Sequence, residues 1–535
     1  MPTTTRRQGT GFSESRMEGP SMASMNPVLL ALALLALCLE CNAQKPPSPP
    51  ASAQDTGAVF WNQFRGPNGR GVMDAAVPVR FGPDSNVRWK TPIDEGQSSP
   101  VIWGNRIFLT TSSPDDEKEL ATVCVDRMSG KLRWRRPITV AERGRHHSMS
   151  SPAAPTPAAD DKHVYAYFGT YGLLCYDHEG TRIWERRIKP PTNQYGMATS
   201  PILYQDKVIL VLDDNRRRSR ILAMHRDTGK TAWEEPRPMF SAGWSTPMIW
   251  RHAGGDELVV LGSKRLTSYD PTTGSEKWWA GGFSIETIGV PVTGAGLLFV
   301  SDAARGGRGE LKWDAELTWK MTLDDYDENE DGKIQREEMS KGFRLPLRPD
   351  LAKTQSGSAL PVGPDKVGGW LKHLDKDKDG VLGKSDWLEF MAGFAMDSKP
   401  IVMAIRPGAK GNARPSRVAW EIHSATPEIP SPLYCRGKIY LLRNGGRLTC
   451  LEASSGKQLF RELIGARGQY VASPIAAGDK LITASSRGIV TVIKIGDKLE
   501  VLARNDFGEK ILATPAIADD EIYLRTASHL YAIGQ

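Results

Sequence analysis

The chain has 535 residues, 40% of them apolar and 24% charged, the balance of a folded protein with a large core rather than a disordered or fibrous one. Its formal charge of +7 is spread thinly, with no basic run longer than Arg216-Arg217-Arg218. That tripeptide reads as a solvated turn, so no nucleic-acid partner is expected.

Val28 to Leu39, VLLALALLALCL, is an uninterrupted apolar run of signal-peptide length, short for a bilayer span. Arg6, Arg7 and Arg16 precede it, and Cys41-Asn42-Ala43 follows with small residues suited to cleavage near Ala43. Residues 1–43 are therefore expected to direct export to the periplasm or beyond, leaving no transmembrane segment in the mature chain. Leu37 and Glu40 stand where a lipoprotein signal places a small residue before its cysteine, so no lipid anchor is expected. Residues 44–58, with KPPSPPASA at their centre, read as a flexible Pro/Ser-rich tether.

Phe60 to Val72, FWNQFRGPNGRGV, has no strand pattern of the kind that follows it, whereas Asn86 to Ile93, NVRWKTPI, looks like the last strand of a repeat. The repeat is clearest from Thr199 to Trp233: Ser-Pro, three short apolar strands separated by polar turns, an Arg-Asp-Thr-Gly-Lys turn, and a strand carrying Trp233. One four-stranded sheet cannot bury both of its apolar faces alone, so copies are expected to stack. The Ser/Thr-Pro start returns at Ser99-Pro100, Thr156-Pro157, Ser200-Pro201, Thr246-Pro247, Ser431-Pro432, Ser473-Pro474 and Thr514-Pro515, with Val290-Pro291 as a degenerate member. Apart from one gap, successive prolines lie roughly 40 to 57 residues apart, in or near the period of four-stranded propeller blades. The glycine turn recurs at Asp126 to Lys131, Asp270 to Gly274 and Glu452 to Lys457, and tryptophans follow it at Trp134, Trp184, Trp233 and Trp278. On these residues the chain resembles the pyrroloquinoline-quinone-type β-propeller repeat.

The expected fold is all-β: an eight-bladed propeller of four-stranded antiparallel blades over residues 59–301 and 399–535. The last repeat, Thr514 to Ile533, supplies three strands, and the Trp89 strand is expected to complete its blade. Closing the ring with both ends of the chain removes the open sheet edges that invite aggregation.

Residues 302–398 interrupt blade five with a pattern of another kind, helical with acidic loops. Asp327-Glu-Asn329-Glu-Asp331-Gly332-Lys333-Ile334-Gln335-Arg-Glu-Glu338 matches the EF-hand calcium loop: side-chain oxygens at alternate positions, a glycine for the sharp turn, the Lys333 carbonyl, and a terminal glutamate able to chelate with both oxygens. Leu311, Leu317, Trp319 and Leu323 give an incoming helix its apolar side, and Met339 and Phe343 are expected to do so for the outgoing one. Asp375, Asp377, Asp379, the Val381 carbonyl and Asp386 form a second such loop, in which Asp386 replaces the longer glutamate and weakens calcium relative to magnesium. Calcium in a constitutive, stabilising role is the expected cofactor.

Of the cysteines beyond the leader, Cys124, Cys175 and Cys450 fall on third strands of different blades, and an intervening strand separates Cys435 from Cys450. Adjacent strands are about 4.8 Å apart, so partners two strands away are out of disulfide reach and buried free thiols are expected. Residues just before the Ser/Thr-Pro starts should face the central funnel; Gln97, Tyr195, Trp244, Glu286 and Tyr470 are the candidate ligand-binding set. His146-His147 has no third metal ligand in view and reads as a surface loop.

The resemblance carries two functional implications. Quinoprotein alcohol dehydrogenases of this fold hold pyrroloquinoline quinone and calcium in the funnel, with a catalytic aspartate and, in many members, a disulfide between adjacent cysteines. No adjacent cysteine pair and no matching calcium or aspartate motif stands here, so no catalytic residue is assigned. The other implication is an assembly scaffold of the bacterial envelope. The leading expectation is an exported, non-catalytic calcium-binding propeller that binds a protein, polymer or small ligand through its faces. The alternatives are a quinone-dependent oxidoreductase with a divergent site, and calcium-dependent recruitment of a partner helix by the paired loops.

Overall fold

The computed structural model describes residues 60–241, 243–303, 315–346, 359–395 and 398–534. The leader and tether expected over residues 1–58, and Leu311, lie outside the described residues.

Eight small antiparallel sheets follow one another around a ring. Blade three shows the plan: Ile202–Tyr204, Lys207–Leu212, Arg220–His225 and Thr231–Pro236. Its second strand, KVILVL, is buried throughout because both faces are covered by neighbouring blades, while its outer strand is exposed or half-buried except at Glu235. Blade eight is closed as the sequence predicts. Val87–Pro92 pairs with His529–Ile533, with Trp89 opposite Ala532.

The repeated residues have separate jobs. The hydroxyls of Thr156, Ser200, Thr246, Ser431, Ser473 and Thr514 each accept a hydrogen bond from the backbone amide of the corresponding residue in the preceding blade. Ser99 donates to Thr156, Thr156 to Ser200, Ser200 to Thr246, Val290 to Ser431, Ser431 to Ser473 and Ser473 to Thr514, at 2.9–3.1 Å. These bonds run along the inner wall in two arcs, from blade one to four and from blade five to eight, and satisfy amides that the inner strands leave unpaired. Val290 has no hydroxyl to offer its predecessor, so the degenerate member is a donor only. At the seam between blades eight and one the buried Arg525 guanidinium donates to the carbonyls of Asp94, Ser98 and Thr110.

The tryptophans lock the outside. The indoles of Trp89, Trp134, Trp184, Trp233 and Trp420 donate to carbonyls of the next blade's turn, those of Arg127, His178, Arg226, Pro271 and Ala453, at 2.7–3.2 Å. Each ring lies flat on that turn's glycine: a Cβ at Gly130, Gly180, Gly229, Gly274 or Gly456 would come within 2.5–2.8 Å of it. Trp278 departs from this pattern. In blade five the connection of residues 406–417 takes the place of the short glycine turn, its Gly411–Asn412 pairing with Trp278 and Trp279, and the Trp278 indole donates instead to Glu257 Oε2 of its own blade at 2.6 Å.

In blade five, Val292–Gly294 and Leu297–Asp302 precede the long intervening segment and Ile401–Ile405 and Val418–Ile422 follow it. The insertion holds helices α1 (Ala315–Tyr326), α2 (Val367–Leu374) and α3 (Lys384–Ala395), and a hairpin of Phe343–Pro346 with Ala359–Val362. The outgoing helix expected at Met339 and Phe343 is not formed. Short-range bonds from Ser340 N to Glu337 O and from Gly342 N to Met339 O make tight turns there, and Phe343 starts the hairpin strand. Both residues nonetheless reach the insertion's core, fully or almost fully buried.

The described cysteines, Cys124, Cys175, Cys435 and Cys450, are buried and unbonded. Burial pushes the thiols of Cys124 and Cys450 up to about 12, so thiolate chemistry is suppressed.

Candidate functional site

The segment that shows no repeat in the sequence fills the axis of the ring. Phe60–Trp61 adds antiparallel to the inner strand of blade one, with Trp61 opposite Ile102, and Val72–Met73 runs parallel to the inner strand of blade seven beside Ala476 and Ala477. The chain therefore rises along one inner strand, turns, and descends along another. Between these points Ala159 N of blade two donates to Asn62 O at 2.8 Å. Arg65 Nη2 donates to Pro432 O of blade six at 2.9 Å, and Asn68 Nδ2 to Ile249 O of blade four at 2.7 Å. One short loop thus ties the inner strands of five blades. Arg65 is fully buried with only carbonyl partners, and burial lowers its guanidinium to about 9.

The turn of this plug, residues 65–70, bonds near the Ser/Thr-Pro ends, while both of its limbs point to the opposite face. The face carrying the Ser/Thr-Pro ends is where the predicted funnel residues gather. Tyr195 packs on Trp244 with ring centroids 5.5 Å apart and meets His147 edge-on at 5.5 Å. The Trp244 indole donates to Gly196 O at 2.7 Å and fixes the loop that carries Tyr195. Gln194 Nε2 donates to Glu286 Oε1 at 3.0 Å, extending the group to the edge of blade five. Tyr195 is exposed, Trp244 buried and Glu286 half-buried. Gln97 bonds to the Met149 carbonyl. Tyr470 does not join the group: it is fully buried, its hydroxyl committed to Ala466 O at 2.7 Å. His147 and Gln194 are members that sequence reasoning did not select: Gln194 is the chain neighbour of Tyr195, whereas His147 comes to Tyr195 only through the fold.

The two acidic loops of the insertion face each other. Ile334 and Leu382 exchange backbone hydrogen bonds at 2.9 and 3.0 Å, pairing the loops through a two-residue bridge. The bonding is matched position by position. Glu338 Oε1 accepts from Glu328 N and its Oε2 from Gln335 N; Asp386 Oδ1 accepts from Lys376 N and its Oδ2 from Gly383 N, at 2.7–3.0 Å. Asp327 and Asp375 each accept from the loop glycine, Gly332 or Gly380, at 2.9 and 3.0 Å. Asp331 and Asp379 accept from the amides of Lys333 and Val381, both at 2.9 Å. Asn329 Oδ1 accepts from Asp331 N at 3.0 Å, and Gln335 Nε2 donates to Asp331 Oδ2 at 2.6 Å. In the second loop, carboxylate oxygens of Asp375, Asp377 and Asp386 lie within 4.8 Å of one another. Converging carboxylates repel unless a cation lies between them, and an all-oxygen set suits a hard divalent ion.

Although spliced into blade five, the insertion sits on blades three and four. Met239 and Phe240, from the connection between those blades, join Trp319, Trp370, Trp387 and Phe390 in one apolar core. A polar seam runs beside it: His373 Nδ1 lies 3.5 Å from Glu235 Oε1, and Lys376 Nζ lies 3.6 Å from Glu276 Oε1, which also faces the buried Arg265 at 3.3 Å. Burial raises the Glu235 carboxyl to about 6 and lowers His373 to about 4. His373 is therefore held neutral at pH 7, so its contact with Glu235 is not an ion pair. A cavity of about 20 Å³ at this seam has room for one water. Lys376 belongs to the second acidic loop, so the loop backbone that Asp386 holds also carries a contact to the ring.

No helix among the described residues is long and apolar enough to cross a membrane. The sequence matches the family described as outer membrane protein assembly factor BamB over residues 51–242 and 217–329, together more than half of the chain. No curated protein matches it. Among solved structures it is similar to BamB from Moraxella catarrhalis, at 9% identity and TM-score 0.49 over 83% of this chain and 98% of that one. It is similar to a europium-containing methanol dehydrogenase at 10% identity and TM-score 0.50, over 89% and 98% of the two chains. The quinohemoprotein alcohol dehydrogenase of Comamonas testosteroni matches at 11% identity and TM-score 0.47, over 89% and 80%. At such identities the likeness concerns the fold alone.

Proposed function

The chain belongs to the family of the outer membrane protein assembly factor BamB, and on that premise we propose that it is an exported, non-catalytic propeller that binds a protein partner through the face bearing Tyr195, Trp244 and Glu286. The observation that carries this reading is the plug. Trp61, Arg65 and Asn68 belong to the segment that ties the inner strands of five blades, and the buried Trp61 and Arg65 side chains take up room that a planar quinone at the axis would need. The neighbouring face keeps an exposed aromatic beside a carboxylate, the composition of a small protein-binding patch. A photo-crosslinking residue at position 195, in the protein returned to its native compartment, is expected to give a discrete adduct that the same residue at position 182, on the outer strand of blade two, does not give. Adducts from position 182 alone would place the partner elsewhere.

The insertion is read as a pair of EF-hands. Asp327, Asn329, Asp331, Gln335, Glu338 and the Lys333 carbonyl would hold one calcium; Asp375, Asp377, Asp379, Asp386 and the Val381 carbonyl would hold the other. Calcium supplies positive charge that lets the carboxylates converge, and so fixes the loop that carries Lys376 against blade four. Its role is structural under this reading. Calorimetric titration is expected to show two sites in the wild type, with Glu338→Gln and Asp386→Asn each abolishing or strongly weakening one, and the second site tolerating magnesium better. Absence of calcium heat in the wild type would sink this assignment.

A further inference from the structure

We propose that a cavity between blades one, two and three, on the same face but beside the axis, binds a small carboxylate carried on an apolar body. The cavity measures about 250 Å³. Met197, Pro190 and Pro191 form its apolar wall, and Arg143, Arg145 and His146 its cationic rim.

The walls are fixed. The loop of residues 190–197 is held by the Trp244 indole on Gly196 O and by Tyr195 N on Asn193 Oδ1, at 2.7 and 3.0 Å. It joins the loop of residues 141–150 through His147 N to Tyr195 O at 3.2 Å. A Cβ at Gly144 would stand 2.6 Å from Thr170 Cγ2, and one at Gly196 would stand 2.9 Å from Arg145 O, so the loops approach as closely as glycine allows.

Charge selects the ligand. Arg145 makes no ion pair among the described residues, and Arg143 reaches Glu95 only at 3.8 Å, with its Nε buried and unpartnered. With Glu142 on the same rim and Glu95 beside Arg143, the cationic charge left without an ion pair is the single one of Arg145. A monoanion matches that charge better than a phosphate dianion does. The planar guanidinium fork fits a carboxylate through paired hydrogen bonds, and the Met197 and proline wall favours an apolar remainder over a sugar.

The test uses the full mature chain and two probes, 3-phenylpropionate and its uncharged amide, titrated calorimetrically with and without calcium. The acid is expected to bind and the amide not. Arg145→Gln should weaken the acid by about tenfold or more, the loss of a charge-assisted hydrogen bond, with the melting temperature unchanged because Arg145 is exposed. Arg182→Gln, on the outer strand of blade two, should bind as the wild type does. Equal binding of acid and amide, unchanged affinity in Arg145→Gln, or no binding of the acid would each overturn the proposal. Since the cavity contains none of the acidic loop residues, its failure and that of the calcium assignment are read separately.

Discussion

Trp61→Ala is expected to cost about 3–5 kcal/mol of unfolding free energy, the usual range for removing a fully buried large aromatic side chain. Trp61 is fully buried in the core shared by blades one, seven and eight. Its ring lies against Gly66, where a Cβ would approach to 2.6 Å, so the ring also holds the turn of the plug. Truncation to alanine both opens a void and releases the loop that carries Arg65 and Asn68, whose partners lie on blades four and six. Denaturant unfolding followed by circular dichroism measures the loss. Stability within about 1 kcal/mol of the wild type, well short of the range for such truncations, would mean that the plug is an accessory rather than part of the ring.

The second large effect concerns the contact between blades. Gly229 has φ of +66°, and a Cβ there would stand 2.6 Å from the Trp184 ring of the preceding blade. Gly229→Ala therefore combines a left-handed backbone penalty of about 1–2 kcal/mol with an overpacking cost of about 1–3 kcal/mol. Gly437 provides the control. Its φ is +74°, and nothing lies within 4 Å of the same added atom, so Gly437→Ala should show the backbone penalty alone. A larger loss at position 229 than at 437, measured by the same denaturant titration, isolates the tryptophan contact; equal losses would show that the indole moves aside freely.

These two sites differ in how far the sequence revealed them. Gly229 and Trp184 belong to a local repeat, and spacing alone placed both, together with the closing strand around Trp89. Stacking blades bury a continuous core, so each copy repeats the same turn and indole. Trp61, by contrast, sits in a segment that copies nothing. Its partners are hundreds of residues away in sequence, as Arg65 to Pro432 shows, and no periodic signal records such contacts. The same limit hid the seat of the insertion on blades three and four. Met239, Phe240, Glu235 and His373 are unremarkable in sequence and meaningful only once the fold brings them together. Tyr470 failed in the other direction: its position before a Ser-Pro start pointed to the funnel, but a neighbouring carbonyl captured its hydroxyl.

The turns of the two acidic loops were legible in the sequence, because Gly332 and Gly380 each donate to an aspartate only five residues earlier, while calcium binding by these loops is the proposal. The surrounding helices were less so. Met339 and Phe343 keep their apolar role without the expected helix, because the segment from Glu337 to Gly342 closes into tight turns before the hairpin. Burial of an apolar side chain was readable there; the backbone geometry that buries it was not.

The proposed absence of quinone chemistry rests on the filled axis, and the most direct measurement is calorimetric titration of the calcium-loaded mature chain with pyrroloquinoline quinone, followed in parallel by absorbance. The plugged axis predicts no saturable heat and an absorbance spectrum equal to the sum of the separate components. Stoichiometric uptake with a shifted quinone spectrum would contradict the account.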